Sequence, residues 1–355
     1  KKLEGLNVGS YAAIKEAKKK YADMISKFPR KYSYLFKTVN SFGDNLISAK
    51  NCYYCFDISN AQDCKFITWG GINMKDTYDG YGMGVAELLY EVIDSGLQAS
   101  HMKFTVVAWT GKNIHYSYNC HNCNNIFGCI GLRSKEYCIL NKQYSKEEYE
   151  KLVPRIIGHM KEMPYVDSKG RRYGYGEFFP AEISPFAYNE TVAQEYFQLT
   201  KGEALSDGYA WKDPEIKNYS VTRKPEDLPD NIKDASEEIT NDIIGCLHRG
   251  ECLDQCATAF RIIPEELKFY KKMNLPLPRL CPNCRHYRRL RQRNPLKLWH
   301  RKCQCGGVKS ENGIYSNTAA HQHAVEHCPN EFETSYAPDR PEIVYCEACY
   351  NNEVA

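Results

Sequence analysis

Nowhere in its 355 residues does this chain hold an apolar run near the roughly 20 residues that a membrane-spanning helix requires, so no such span is expected. Its start carries no apolar secretory signal either, and the expected compartment is the cytoplasm. Also missing are the short signatures of common catalytic centres: there is no Gly-x-Ser-x-Gly, no His-Glu-x-x-His, and no His-x-Glu joined to Pro-Cys-x-x-Cys. The glycine-rich run Asp79-Gly80-Tyr81-Gly82-Met83-Gly84 lacks a following Gly-Lys-Ser/Thr and reads as a turn, not a phosphate cradle. Acid is scarce in one place. From 261 to 302 only Glu265 and Glu266 oppose thirteen Lys and Arg, so this stretch carries an excess of eleven positive charges within a chain of net +3, and the remainder nets minus eight.

What is plentiful is cysteine. Seventeen is an odd number, which cannot all pair as disulfides, and a chain of this length can bury a core without staples. Ten of the seventeen fall after residue 245, at spacings that suit a metal.

Residues 11–28 place Ala12, Ile14, Ala17, Tyr21, Met24, Ile25 and Phe28 at helical spacing behind Ser10 as N-cap. The texture then changes. Between 48 and 144 short β-prone pieces recur with Asn near Cys, as in Asn51-Cys52, Asn60 to Cys64, Asn119-Cys120, Asn122-Asn124 around Cys123, and Asn125 to Cys129. Rungs with Asn at a corner and an apolar or sulfur side chain pointing inward predict a small β-solenoid, each rung burying its face against its neighbours. Cys52, Cys55, Cys64, Cys120, Cys123, Cys129 and Cys138 are then buried thiols acting as small hydrophobes. The alternative is a third metal site joining Cys52/Cys55 to Cys120/Cys123.

A capping box, Ser145 with Glu148, opens a helix running to about 160 that Pro154 should disturb. An aromatic, proline-rich connector follows, with short helices at 191–197 and 201–206, and a last helix at 232–244 delivers Cys246. Residues 85–93 suit either a short helix or a strand.

Cys281-Pro282-Asn283-Cys284 is a knuckle whose tight turn points two sulfurs at one ion. Cys256 joins it, and the fourth ligand is Cys246 or Cys252. Residues 264–270 start a helix with Pro264 in its first turn. The plan repeats at Cys346-Glu347-Ala348-Cys349, with Cys328 and either Cys303 or Cys305 as opening ligands and a β-hairpin expected over 331–345. His321, His323 and His327, in a polar insertion, read as a solvated loop before they read as ligands. Two structural Zn2+ sites are expected. Four-thiolate sites leave no open position for water, which argues against metal catalysis.

The segments Cys256 to Phe260, Glu266-Leu267-Lys268-Phe269-Tyr270, Leu275 to Arg279 and Cys281 to Arg285 resemble the zinc-ribbon, treble-clef module of uncharacterised bacterial proteins. More broadly, residues 48–355 resemble a family of large cysteine-rich hypothetical proteins of reduced-genome candidate-phyla bacteria, through Asn141-Lys142-Gln143-Tyr144, Ser184-Pro185-Phe186 and Tyr336-Ala337-Pro338-Asp339-Arg340-Pro341. The resemblance implies no established activity. Where simpler relatives carry an uninterrupted opening Cys-x-x-Cys, this chain has split pairs.

The expected architecture is α+β: a helical segment (1–47), a Cys/Asn-rich β-repeat region (48–144), a helical and aromatic connector (145–240), a zinc module with a basic helix (241–302) and a second zinc module (303–355). After Cys284 come Arg285, Arg288, Arg289, Arg291, Arg293, Lys297, Arg301 and Lys302. Arg285, Arg288, Arg289 and Arg293 fall on about one helical face, and Pro295 should end or bend that helix. Arginine forks match phosphate oxygens, so nucleic acid is the expected partner, RNA or a ribonucleoprotein before a DNA operator. About five phosphate contacts would give a log-log salt slope near roughly −4. The competing reading lets these arginines neutralise thiolate-zinc charge and the acidic remainder. A third makes the protein an interaction scaffold that meets protein partners through its solenoid face and connector, and an enzyme of unrecognised class is the last.

Overall fold

Triplets build the middle of the chain. Every third residue from Asn45 to Trp69 has a left-handed backbone, with φ between 51° and 56°. The residue after each of these corners up to Phe66 points inward and is buried: Leu46, Ala49, Cys52, Cys55, Ile58, Ala61, Cys64 and Ile67. Parallel pairing of Leu46 with Ile58, and of Ala49 with Ala61, shows that one coil takes twelve residues, hence four triplets. The same step relates Ala108 to Cys120 and Ile126 to Cys138. It lengthens to thirteen where Ala61 meets Met74 and Ala86 meets Ala99, because each of those coils carries one extra residue.

The computed structural model describes residues 5–71, 73–94, 98–213 and 219–354. Its largest sheet has nine strands in sequential order, among them Phe42–Lys50, Tyr53–Gly70, Met74–Met83, Ala86–Ile93, Ala99–His115, Tyr118–Phe127 and Glu136–Ile139, all parallel to their neighbours. The last strand, Lys142–Gln143, turns back antiparallel. Residues 85–93 thus resolve as strand, and the glycine-rich run ending at Gly84 lies largely within one too.

A left-handed L-residue costs about 1 kcal/mol or more, so a repeated corner needs compensation. Asx side chains tolerate this conformation best, and here they form ladders. Asn45 Nδ2 donates to Asp57 Oδ1 at 2.6 Å, Asn51 to Asp63 at 2.7 Å and Asn113 to Asn125 at 2.9 Å. Aromatic corners stack instead: Tyr54 on Phe66 with centroids 5.4 Å apart, and Phe104 on Tyr116 at 4.5 Å. Inside, all seven solenoid cysteines are buried thiols. Cys52 and Cys64 donate to the carbonyls of Lys50 and Gln62, and Thr77 and Ser117 make the same bond two residues back. The thiols therefore occupy a slot that hydroxyl and aliphatic side chains fill equally well. The third-site grouping is not formed. Cys52 and Cys55 belong to the start of the stack, and strands Met74–Met83, Ala86–Ile93 and Ala99–His115 intervene before Cys120 and Cys123.

The helix Lys146–Glu162 follows the stack, with both halves of the Ser145/Glu148 capping box in place. Contrary to expectation it runs through Pro154 unbroken. Among the described residues no helix is long and apolar enough to cross a membrane.

The chain forms two compact units: residues 1–28, 188–204 and 211–294 in one, and 29–187, 205–210 and 295–355 in the other. The connector residues 214–218 lie outside the described ones. In the first unit the helix Tyr11–Ile25 starts at Ser10, whose Oγ accepts from Ala13 N at 3.1 Å. Its core gathers Leu228, Ile232, Ile239, Ile244, Ile262, Leu267 and Leu277 around Cys246, Cys281 and Cys284. The expected helix at 232–244 is instead two short turns, Ile232–Asp234 and Glu237–Asn241, followed by a strand, Ile244–Gly245. Arg223 and Thr222 hold the Asp242 carboxylate, and the extended backbone there lets Ile244 pair with Phe260. In the second unit the hairpin expected at 331–345 does not close on itself. Glu331–Thr334 pairs with Trp299–Lys302, the strand leading into Cys303, while Val344–Tyr345 runs parallel to Arg30–Lys31.

Candidate metal centres

Each C-terminal module brings a cysteine-bearing turn against the first turn of a helix. In the first unit Cys281 caps the helix Pro282–Leu290, whose first turn holds Cys284. In the second, Cys346 precedes the helix Glu347–Val354, which holds Cys349. Proline at the first position of the earlier helix suits a site where no N–H is needed.

Four sulfurs converge at each place. Cys246, Cys256, Cys281 and Cys284 lie within 4.8 Å of one another, as do Cys303, Cys328, Cys346 and Cys349. Individual separations are 3.8 Å for Cys246–Cys284, 4.0 Å for Cys256–Cys281 and 3.9 Å for Cys328–Cys346. A tetrahedron with metal–sulfur bonds of about 2.3 Å has edges of about 3.8 Å, so the thiols are already at coordinating distance. The modules share a further detail. The Cys281 amide donates to Cys246 Sγ at 3.3 Å, and the Cys346 amide donates to Cys303 Sγ at 3.2 Å. All seventeen cysteines are free thiols, so no disulfide framework competes.

Charge in these sets is shared unevenly. The Cys281 thiol is pushed well below its usual value, first by the hydrogen bond from Cys246, and Cys346 likewise by Cys303. Cys246 and Cys303 rise as the donors of those bonds, whereas burial is the leading cause for Cys284 and Cys349. A metal entering either set displaces the protons that remain, so its affinity falls with acid.

The two split pairs divide between these groups and their neighbours. Cys246 and Cys303 complete the four-thiol groups; Cys252 and Cys305 do not belong to them. Cys252 Sγ lies 3.7 Å from Cys284 Sγ, and Cys305 Sγ lies 3.7 Å from His321 Nδ1. The solvated-loop expectation fails for His321, which is 7% exposed, and for His323, whose Nε2 is 3.3 Å from Cys349 Sγ. His327 stays near the surface, 3.9 Å from Glu311. His248 and Asp254, four and two residues from Cys252, are further candidate ligands that only the fold brings together with Cys284.

The basic stretch does not form one helix. The helix ends at Leu290, before Pro295, and carries only Arg285, Arg288 and Arg289. The compact units divide between 294 and 295, so Lys297, Arg301 and Lys302 belong to a different unit from Arg285 to Arg293. Several of the cations have internal partners. Arg285 reaches Tyr270 Oη at 2.8 Å and Glu266 at 3.4 Å. Arg291 forks onto Asp254 at 2.6 and 2.9 Å, a carboxylate 1% exposed. Arg293 lies over the Tyr196 ring, Lys297 over Trp299, Arg301 donates to the Ala337 carbonyl, and Lys302 meets Glu331. Arg288 and Arg289 are exposed, with no acidic partner among the described residues.

Comparison of the sequence with models of known protein families and with curated proteins finds no match. Fold and sites together define an α+β, cysteine-rich chain with a β-solenoid-like region and cysteine clusters able to hold metal ions.

Proposed function

We propose that this is a zinc-binding protein in which the metal is structural and whose work is binding. The observation that carries the reading is the closed, sulfur-only donor set in each module, at tetrahedral spacing and buried except for the partly exposed Cys256. Thiolate donors of this number favour Zn2+ over oxygen-seeking cations, and a full shell leaves no position for a reacting water. A two-stranded ladder followed by a knuckle that opens a helix, one cysteine just before it and one in its first turn, accords with the treble-clef resemblance, and membership of the cysteine-rich bacterial family belongs to the same proposal.

For the partner, nucleic acid (RNA or a ribonucleoprotein) rests on Arg288 and Arg289, since most of the other cations are engaged within the chain. Two phosphate contacts on a single strand give a log-log salt slope of roughly −1.4, well short of the −4 expected for five. The second reading, a protein-interaction scaffold, is favoured by a ladder on one solenoid face. Tyr81, Ile93, Val106, Tyr118 and Ile130 stand in register on successive coils, and Ile93, Tyr118 and Ile130 are 38, 42 and 63% exposed.

Titration of mixed-sequence single-stranded RNA against the full chain, between about 50 and 200 mM salt, tests the first reading. Binding with the stated slope that Arg288→Ala/Arg289→Ala abolishes, with zinc content unchanged, supports it; no binding at low salt removes it. Capture of protein partners that survives nuclease and is lost in Ile93→Arg/Tyr118→Arg supports the scaffold instead.

A further inference from the structure

We propose that each module holds two zinc ions joined by one shared thiolate, Cys284 in the first and Cys349 in the second. The inference rests on the reading that the modules bind zinc, and it assigns the cysteines and histidines left outside the four-thiol sets.

In the second module Cys349 belongs to two groups at once: the four thiols, and a set with Cys305, His321 and His323 whose ligand atoms also lie within 4.8 Å of one another. The spacing fits a metal. With bonds of about 2.3 Å to sulfur and about 2.0 to 2.1 Å to nitrogen, a tetrahedral S···N edge is about 3.6 Å. The observed edges are 3.7 Å from Cys305 Sγ to His321 Nδ1 and 3.3 Å from Cys349 Sγ to His323 Nε2.

Both imidazoles are oriented for ligation. His321 Nε2 meets Glu353 Oε1 at 2.8 Å, with both side chains almost fully buried, which leaves Nδ1 facing Cys305. His323 Nδ1 meets the Glu326 carbonyl at 2.7 Å, which leaves Nε2 facing Cys349. Ligating histidines characteristically hand their second N–H to a carboxylate or carbonyl in this way, which fixes tautomer and ring plane. Asn317 Nδ2 donates to Cys305 Sγ at 3.2 Å, as suits a thiolate. A cavity of about 210 Å³ is lined in part by His321, His323 and Cys349.

The first module repeats the construction with different chemistry. Cys284 is shared between the four-thiol group and a set with His248, Cys252 and Asp254. Cys252 and Cys284 are 3.7 Å apart, a thiolate–thiolate edge. His248 Nδ1 is buried with no hydrogen-bond partner, 3.6 Å from Asp254 Oδ2. An orphaned ring nitrogen aimed at a buried carboxylate and a thiol is costly without an occupant, and a zinc ion at their centre satisfies all of them. Arg291, forked on Asp254, orients that carboxylate.

The two modules lie in different compact units and share no local sequence beyond their knuckles, yet each doubles its site on the last cysteine of the closing knuckle. Each uses seven residues to make two four-coordinate sites, and together they use all ten cysteines after residue 245. Splitting the opening pair gives each module a cysteine for either ion: Cys246 and Cys303 serve the first, Cys252 and Cys305 the second.

The test is metal stoichiometry of the purified full chain by elemental analysis and native mass spectrometry, followed by cobalt exchange. Four zinc ions per chain are expected. Cys305→Ser and Cys252→Ser should each lower the count to three and leave the four-thiol cobalt spectrum in place. In the cobalt form, the high-spin paramagnetic resonance signal should grow up to two equivalents and fall between two and four, as ions sharing a thiolate couple antiferromagnetically. This readout needs no variant to fold. A count of two overturns the inference and leaves structural zinc standing, whereas zero overturns both. Four ions whose cobalt signal grows linearly to four equivalents also refute the shared thiolate.

Discussion

His115 offers a sharp test of how the solenoid is held together. It ends the strand Ala99–His115, with Phe127 and Tyr175 against its ring at centroid distances of 6.0 and 6.3 Å. Burial, and secondarily the Lys103 ammonium, lower its pKa to about 4. In the unfolded chain the same imidazole titrates near about 6.5. Between those values the unfolded state binds more protons than the folded one, so stability must fall as pH drops through about 6.5 and stop falling below about 4. Above that window the neutral ring costs nothing. The full loss is about 3 kcal/mol, and from pH 7.5 to 5.5 linkage gives a loss of about 1.4 kcal/mol.

Acid also loosens thiolate–metal bonds, so the comparison is made between wild type and His115→Phe in zinc-containing buffer, where that contribution cancels. Urea unfolding followed by hydrogen exchange of the solenoid amides reads the relevant region. Wild type should lose about 1.4 kcal/mol more than the variant between pH 7.5 and 5.5. Parallel pH profiles for the two proteins, or a wild type that gains stability on acidification, would refute the reasoning.

Two further outcomes follow from the same geometry. Chelation should unfold the second module and spare the solenoid: five of the seven buried members of that module's core are cysteines, with only Ile343 and Tyr345 beside them, while the solenoid core contains no member of a candidate metal set. Structural zinc supplies of order 10 kcal/mol in small modules, more than two side chains can replace, so circular dichroism after a strong chelator should keep its β signal while the amides of 299–354 lose protection; protection unchanged there counts against a structural metal. Asn51→Ala removes both the bond to Asp63 and a residue suited to φ 52°, and should cost about 1 to 2 kcal/mol in solenoid stability. A loss below a few tenths would show that the Asn ladder does not stabilise the corners.

Much of this was legible in the residues. Ser10 and Ser145 cap the helices they precede, because capping is settled within four residues. The rung with Asn at its corner and a small or sulfur side chain inside was readable too, but its length was not. Tyr54, Phe66, Trp69, Phe104 and Tyr116 occupy corners as well as Asn and Asp do. Aromatic stacking between coils pays for them there, and no local pattern announces it.

The arginines show the opposite limit. Arg291 reads as a solvent-facing cation until the fold brings Asp254, 37 residues away, under its fork. His321 reads as polar loop until Glu353, 32 residues on, buries it.

By itself, then, the sequence determined whatever a few consecutive residues can hold: the caps, the rung with Asn at its corner and an apolar or sulfur residue inside, and the two knuckles, since a Cys-x-x-Cys turn aims both sulfurs without help from the rest of the chain. Only the tertiary structure decided which distant groups complete them. Cys246 and Cys252 are six residues apart, and Cys303 and Cys305 are two apart, so spacing alone cannot rank them. Ligation depends on sulfur positions to within a few tenths of an ångström, and those are set by strand pairing and by helices packed from elsewhere in the chain. In the fold, Cys246 and Cys303 join the four-thiol groups, while Cys252 and Cys305 fall in the neighbouring groups that share Cys284 and Cys349.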